Sequence, residues 1–296
     1  MKNILIGLVF SILWASASVA TKFGVQSASP LILANVRFFI AGILLLGFSY
    51  IFGKDESYKL PNRAEFMQLG LFGFLNTTLY LGLYVLAMKY TAAGIGSLAV
   101  SVNPLIIVLL SAWWLSRRPA MGEWLGIILG MSGVAIATYP LLDGATTKIE
   151  GVIILLISMI AVSAASVYYA TIKWKLPNLL INGWQVMLGG IFLLPFTFIF
   201  GDFSATAWDF QFWGSVLWLS LAVSIIGLIC WFYLLSIDTV RASLWLFLCP
   251  LFGFFFAWWL MDEPVTLYTV AGTLFVIFGL YFGQKAKLAG KLNIKK

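Results

Sequence analysis

The sequence predicts an all-α polytopic membrane protein whose ten transmembrane helices form two inverted five-helix repeats. Three observations predict this fold. The composition is too apolar for a soluble core of this length, the basic residues gather on one side of the predicted membrane, and the second half of the chain repeats the first. The 296 residues are 62% hydrophobic and only 10% charged, with a mean hydropathy of +1.01. A bilayer removes the need to hide such a surface inside protein.

A crossing helix needs about 20 apolar residues. Windows of that kind fall at residues 3–21, 30–53, 65–86, 91–115, 122–142, 151–172, 178–200, 211–235, 240–261 and 265–284. The connections are short and carry turn formers such as Pro61, Pro119, Pro140, Pro177 and Pro264. The first window is ambiguous by itself. Within "ILWASASVATKFG", Ile12 to Gly24, small residues spaced as Ala15 and Ala17 follow an apolar run and Lys2, which is also the pattern of a cleavable secretory signal.

With the N-terminus in the cytoplasm, fourteen basic residues fall inside: Lys2, Lys54, Lys59, Arg63, Arg117, Arg118, Lys173, Lys175, Arg241 and five lysines after Gly283. Only Lys22, Lys89 and Lys148 fall outside, and Arg37 lies within a span. That excess places both termini inside by the positive-inside rule. The net charge of +7 therefore reads as a topology signal beside anionic lipid, and not as a nucleic-acid surface.

Adding 148 to a first-half residue number reaches a similar residue in the second half over more than thirty positions without a gap. Ala17-Ser18-Val19 returns as Ala165-Ser166-Val167, Arg37 maps to Gln185, Gly42 to Gly190 and Phe52-Gly53 to Phe200-Gly201. With small gaps, Pro104 maps to Pro250, Pro119 to Pro264, Gly126 to Gly272 and Gly133 to Gly279. The expected organisation is a first five-helix repeat over 1–143, a second over 150–285 and a basic cytoplasmic tail over 286–296. An odd number of spans per unit makes the second unit enter from the opposite side. The matching turns "LSRRP" and "LMDEP" carry opposite charge, in keeping with that inversion. Because the Ala-Ser-Val of the first window recurs mid-chain, the opening segment is expected to stay as a working helix, its small residues forming a close-packing face.

Inverted repeats place a ligand near the midplane between units that can rock, the geometry alternating access requires. The chain has no histidine, and Cys230 and Cys249 lack metal-ligand spacing, so histidine-dependent catalysis, zinc chemistry and a disulfide framework are not expected. No cofactor and no metal are expected. An enzyme would have to rely on a pair such as Ser18 and Lys22, four apart on one helix, with Lys22 at the outer boundary.

The stretches "ILWASASVATKFG", "LANVRFFIAG", "LYVLAMKYTAAGIGSLAVSVNPLI" and "PLFGFFFAWWLMDEPVTLYTVAGTLFVIFGLYFG" resemble the EamA branch of the drug/metabolite transporter superfamily, from Ile4 to Gly283. The resemblance implies ten helices, cytoplasmic termini and, usually, export of amino acids or other small metabolites across the bacterial inner membrane. In one respect the chain departs from the family pattern. Arg117-Arg118 stand where many members carry a glutamate, whereas the second half keeps Asp262-Glu263. That glutamate lies at a helix end, so its loss bears on topology or packing more than on substrate.

The candidate substrate-binding residues are polar or aromatic groups inside apolar windows. Arg37 either attracts a substrate carboxylate or snorkels to the nearby outer interface. Its repeat mate Gln185 lies at similar depth from the other side. Asn76, Tyr80 and Tyr84 recur every four residues on one face; they line a cavity or bond neighbouring helices. In the matching eighth span Ser220, Ser224, Gly227 and Trp231 share a face. Ser97 and Ser101 precede Asn103-Pro104, and Pro104 and Pro250 are candidate paired hinges or packing kinks. Trp14 in the first span, with Tyr168 and Tyr169 in the sixth, could stack on an aromatic or apolar ligand, although rings here serve mostly as interfacial belt or packing.

Every acid falls in a loop or at a span end, which disfavours cation-for-proton antiport. The expectation is facilitated or weakly coupled export of amino acids, aromatic or apolar ones included, by a monomer or weak homodimer whose partners are a small molecule and the lipid bilayer. A sugar-phosphate or nucleotide-sugar exchanger is the alternative within the same class, and it would need several deep basic residues.

Overall fold

The computed structural model describes residues 2–53, 57–100, 102–114, 121–143, 147–237 and 245–294. Among these the regular structure is entirely helical. α1 runs Lys2–Ser27 and α2 Pro30–Phe52, with Pro30 in a first turn that needs no proline donor. α3 spans Arg63–Met88 and passes through a π-helical stretch, Phe74–Leu81. It begins at a capping box: Asn62 accepts the Glu65 amide at 2.9 Å, and Glu65 accepts the Asn62 amide at 2.9 Å. α4 is Ala93–Val100, α5 Asn103–Trp114 and α6 Met121–Asp143.

The second half repeats this sequence of elements. α7 is Ile149–Thr171 and α8 Asn178–Phe200. α9 joins Phe210–Leu217, a π-helical Trp218–Gly227 and Leu228–Ile237 without a break, starting where Asp209 accepts the Phe212 amide at 2.8 Å. A short 3₁₀ turn, Trp245–Leu248, leads into α10, Cys249–Met261, and α11 is Leu267–Ile294.

Among the described residues six helices are long and apolar enough to cross a membrane: α1, α2, α3, α7, α8 and α9. The shorter apolar helical segments are Ala93–Ile107, Trp124–Pro140, Cys249–Met261 and Leu267–Gly279. The fourth and ninth predicted windows are therefore interrupted in the structure, and proline gives the reason. Pro104 and Pro250 are each the second residue of a helix, where the missing N–H costs nothing. Pro140, expected in a connection, lies inside α6.

The helices pack in reciprocal pairs. α2 lies against α8, α4 against α10 and α6 against α11. α1 packs on α9 and α10, as α7 packs on α3 and α5. Missing side chains allow the closest approaches. A Cβ on Gly133 would meet the Gly272 carbonyl oxygen at 2.5 Å, and one on Gly279 would meet the Gly126 carbonyl oxygen at 2.7 Å. These two contacts exchange places under the sequence offset. Between α3 and α8, a Cβ on Gly73 would stand 2.5 Å from the Gln185 carbonyl oxygen, so this glycine brings α3 beside Gln185.

Gly272→Leu drives side-chain atoms into the α6 backbone and is expected to cost at least ~1–3 kcal/mol. The observable is a lower melting midpoint and loss of monodisperse protein in detergent. Gly47→Ala, with nothing within 4 Å of the added carbon, should leave both unchanged or slightly improved.

Candidate substrate cavity

The polar residues inside the helices converge on one cavity of about 350 Å³, lined by α1, α2, α3, α5, α7, α8 and α9 with single residues from α4 and the Trp245–Leu248 turn. Two aromatic walls face it. Phe10 stacks on Trp231 with centroids 4.9 Å apart and lies 5.6 Å from Trp14, while Phe72 and Tyr169 pack at 5.2 Å across from them.

An amide strip joins α3 to α8 between these walls. The Gln185 side-chain oxygen Oε1 accepts from Asn76 Nδ2 at 3.2 Å and from Thr77 Oγ1 at 2.6 Å. Gln185 Nε2 donates to Asn182 Oδ1 at 2.9 Å. The strip is left incomplete: Asn182 Nδ2, Asn103 Oδ1 and Arg37 Nε have no hydrogen-bond partner among the described residues.

Arg37 is 5% exposed and lines the cavity, so its guanidinium does not reach out to the interface. It keeps van der Waals company with the Phe38 ring at 5.6 Å, and the Ser220 hydroxyl donates to its backbone carbonyl at 3.2 Å, fixing α9 against α2 at this point. Among the described residues no carboxylate pairs with it and no acid lines the cavity.

Trp14, Asn76, Tyr80, Asn103, Ser224 and Trp231 also line this space. Tyr84 lies one turn beyond, in a smaller chamber shared with Trp14, Arg37 and Tyr80. Tyr168 does not line either space. Its neighbour Tyr169 does, because a step of one residue turns a helical side chain by about 100°. Ser101 lies outside the described residues. Sequence reasoning missed Phe10, Phe72 and Asn182, although Asn182 stands three before Gln185 and so on its helical face. Ser18 donates to the Ala15 carbonyl and Lys22 to the carbonyls of Met88 and Thr91, so they form no catalytic pair.

The end of the bundle that carries Lys22, Lys89 and Lys148 is tied shut by polar contacts. Lys22 Nζ donates to the carbonyls of Met88 at 3.0 Å and Thr91 at 2.5 Å. Glu263 holds the first amides of α4, accepting from Ala93 at 2.6 Å and Gly94 at 3.0 Å. Asp262, at φ +53, makes the left-handed turn that ends α10 just before it. Thr147 accepts the Ala92 amide at 3.0 Å and Ser27 donates to Asp209 at 3.1 Å. The cavity extends the other way, as far as Tyr169 and Asn178 beside the lysine-bearing connection after α7.

Membrane-length helices around an incompletely satisfied polar cavity define a membrane transporter. The EamA-like transporter family matches residues 1–139 and 149–282, and the chain belongs to that family. An uncharacterized transporter of Archaeoglobus fulgidus is 28% identical over 90% of this chain and 93% of its own length. The uncharacterized transporters YoaV and YvbV of Bacillus subtilis are 24% and 28% identical, over 95% and 96% of this chain and 96% and 93% of theirs. A solved crystal structure, 18% identical, superposes over 98% of both chains with a TM-score of 0.66, a likeness of fold alone.

Gln185→Leu removes the acceptor shared by Asn76 and Thr77 and strands Asn182. At ~0.6–2 kcal/mol for each such bond between membrane helices, the variant is expected to melt several degrees lower in detergent. An unchanged midpoint would mean the strip adds nothing to the α3–α8 contact.

Proposed function

We propose that this chain exports small carboxylate-bearing metabolites, amino acids foremost, across the bacterial inner membrane by alternating access between two inverted repeats. The observation that carries the reading is Arg37: a buried guanidinium, lacking any carboxylate partner, faces a cavity of about 350 Å³ between the halves. A charge at that depth costs several kcal/mol unless an acceptor reaches it. A substrate carboxylate supplies the acceptor, and the aromatic walls suit an apolar or aromatic body.

The reciprocal packing of the helices supports an inverted repeat, and the breaks before Pro104 and Pro250 offer paired hinges. The charge distribution supports reading the lysine-tied end as the outer one. The conformation is then closed outward and open toward the cytoplasm, as an exporter awaiting substrate. Because no acid lines the cavity among the described residues, the transport reading is facilitated or weakly coupled movement down a gradient. Arg37 as the one basic lining residue among those described argues against phosphate esters, which need more positive charge.

Counterflow in proteoliposomes with labelled amino acids, sugar phosphates and cationic dyes tests this, with and without a pH gradient. Amino acids should exchange in both conditions. Phosphate esters alone, or dyes only with a gradient, would overturn the reading. Arg37→Gln should raise the half-saturation concentration about 10–100-fold at normal membrane yield, the equivalent of one charged hydrogen-bond pair.

The outer closure has its own test, because Cys249 lines the chamber nearest that end. In a Cys230→Ser background, Glu263→Ala should speed labelling of Cys249 by a membrane-impermeant thiol reagent added to intact cells. Equal rates with and without Glu263 would show that its bonds do not hold that end shut.

A further inference from the structure

Past Trp14 and Tyr80, toward the lysine-tied end, lies the second chamber, smaller and more closed, of about 40 Å³. A buried water needs about 10–15 Å³ by such a measure, so the chamber takes roughly three waters. That is room for a carboxylate group or a halide ion and far too little for the body of a metabolite.

Its chemistry is one-sided. Arg37 brings a fork of N–H donors whose Nε is buried and has no hydrogen-bond partner among the described residues. Tyr80 and Tyr84, 7% and 5% exposed, line the same chamber. The two other hydroxyls on the wall are already committed as donors elsewhere, Thr21 to the Ala17 carbonyl at 2.7 Å and Ser97 to the Cys249 carbonyl at 2.8 Å. Among the described residues no carboxylate lines the space. The amide strip next door finds most of its partners within the protein, whereas the guanidinium Nε finds none among the described residues. Among the described residues nothing supplies its missing acceptor, which leaves room for one from a ligand.

We propose that this chamber is a compact-monoanion subsite: it takes the carboxylate of the transported molecule while the body rests in the larger cavity, and a chloride ion when no substrate is bound. The carboxylate half rests on the transport reading above; the halide half stands without it. Chloride and substrate then compete for Arg37, and chloride offsets the buried charge in the empty transporter.

The test uses the full chain purified in detergent, with chloride, bromide or acetate replacing methanesulfonate at constant ionic strength. Chloride and acetate should each raise the melting midpoint saturably, by about 2–5 °C. Arg37→Gln should abolish the rise, and Tyr84→Phe, which keeps the ring and loses the O–H, should weaken apparent chloride affinity by about threefold or more. In proteoliposomes chloride should raise the half-saturation concentration of a carboxylate substrate without changing the maximal rate. No saturable response to either anion, or the same response in Arg37→Gln as in the parent, would overturn the subsite. If Arg37→Gln does not fold, an unaltered chloride response in Tyr84→Phe overturns it equally. A halide response dependent on Arg37 in a protein that moves no amino acid would sink the transport reading and keep the subsite; amino-acid counterflow indifferent to chloride would do the reverse.

Discussion

Inside a bilayer no water completes a hydrogen bond, so every polar group must find its partner within the protein or in a ligand. Most of this structure follows from that constraint. Helices satisfy their own backbone, and side-chain groups turn inward to meet one another: Gln185 serves Asn76 and Thr77, Asn35 donates to Thr197, and Thr78 donates to the Gly189 carbonyl at 2.8 Å. Where the helical pattern fails, the freed groups gather at the cavity. The π-helical stretches Phe74–Leu81 and Trp218–Gly227 carry Asn76 and Tyr80 on one side and Val223 and Ser224 on the other, with Ser224 donating five residues back to Leu219 at 2.9 Å. Such local widenings of a helix recur at functional sites. Both occur at matching places in the two halves.

The same constraint decides how the halves can touch. Without a hydrophobic drive between helices in lipid, close packing holds them, and close packing needs small residues. Gly133 against Gly272, and Gly279 against Gly126, bring α6 and α11 to backbone contact. Gly73 and Gly189 do the same for α3 and α8, where a Cβ on Gly189 would strike Thr77 at 2.3 Å. Polar bonding at Gln185 therefore depends on glycine a turn or more away. A site built this way is positioned by absences as much as by side chains.

The sequence was legible wherever polarity stood out against an apolar background. Arg37, Asn76, Tyr80, Gln185 and Trp231 could be picked because they interrupt hydrophobic windows, and they meet at the cavity. The rest was hidden for physical reasons. A helix that is apolar all round has no polar face to show which way it turns, so Tyr168 and Tyr169 look equivalent in the sequence although only Tyr169 lines the cavity. Phe10 and Phe72 are two of 25 phenylalanines, and nothing local distinguishes a cavity wall from lipid contact. Hydropathy also counts residues without seeing where proline restarts a helix, so the windows at 91–115 and 240–261 read as unbroken.

The departure noted in the sequence, arginine in "LSRRP" against glutamate in "LMDEP", gains meaning from the contacts of Glu263. Its two carboxylate oxygens take the amides of Ala93 and Gly94, so a second-half residue caps a first-half helix. The offset that matches Pro119 with Pro264 matches Arg118 with Glu263. Arginine carries donors and no acceptor, so it cannot cap amides in the same way. Arg118 therefore cannot provide the carboxylate clasp that Glu263 provides. If the two halves rock about the cavity, their two closed states are held by different bonds. The near-symmetry of the packing then coexists with an energetic inequality between the two ends, written into the chain by a pair of arginines.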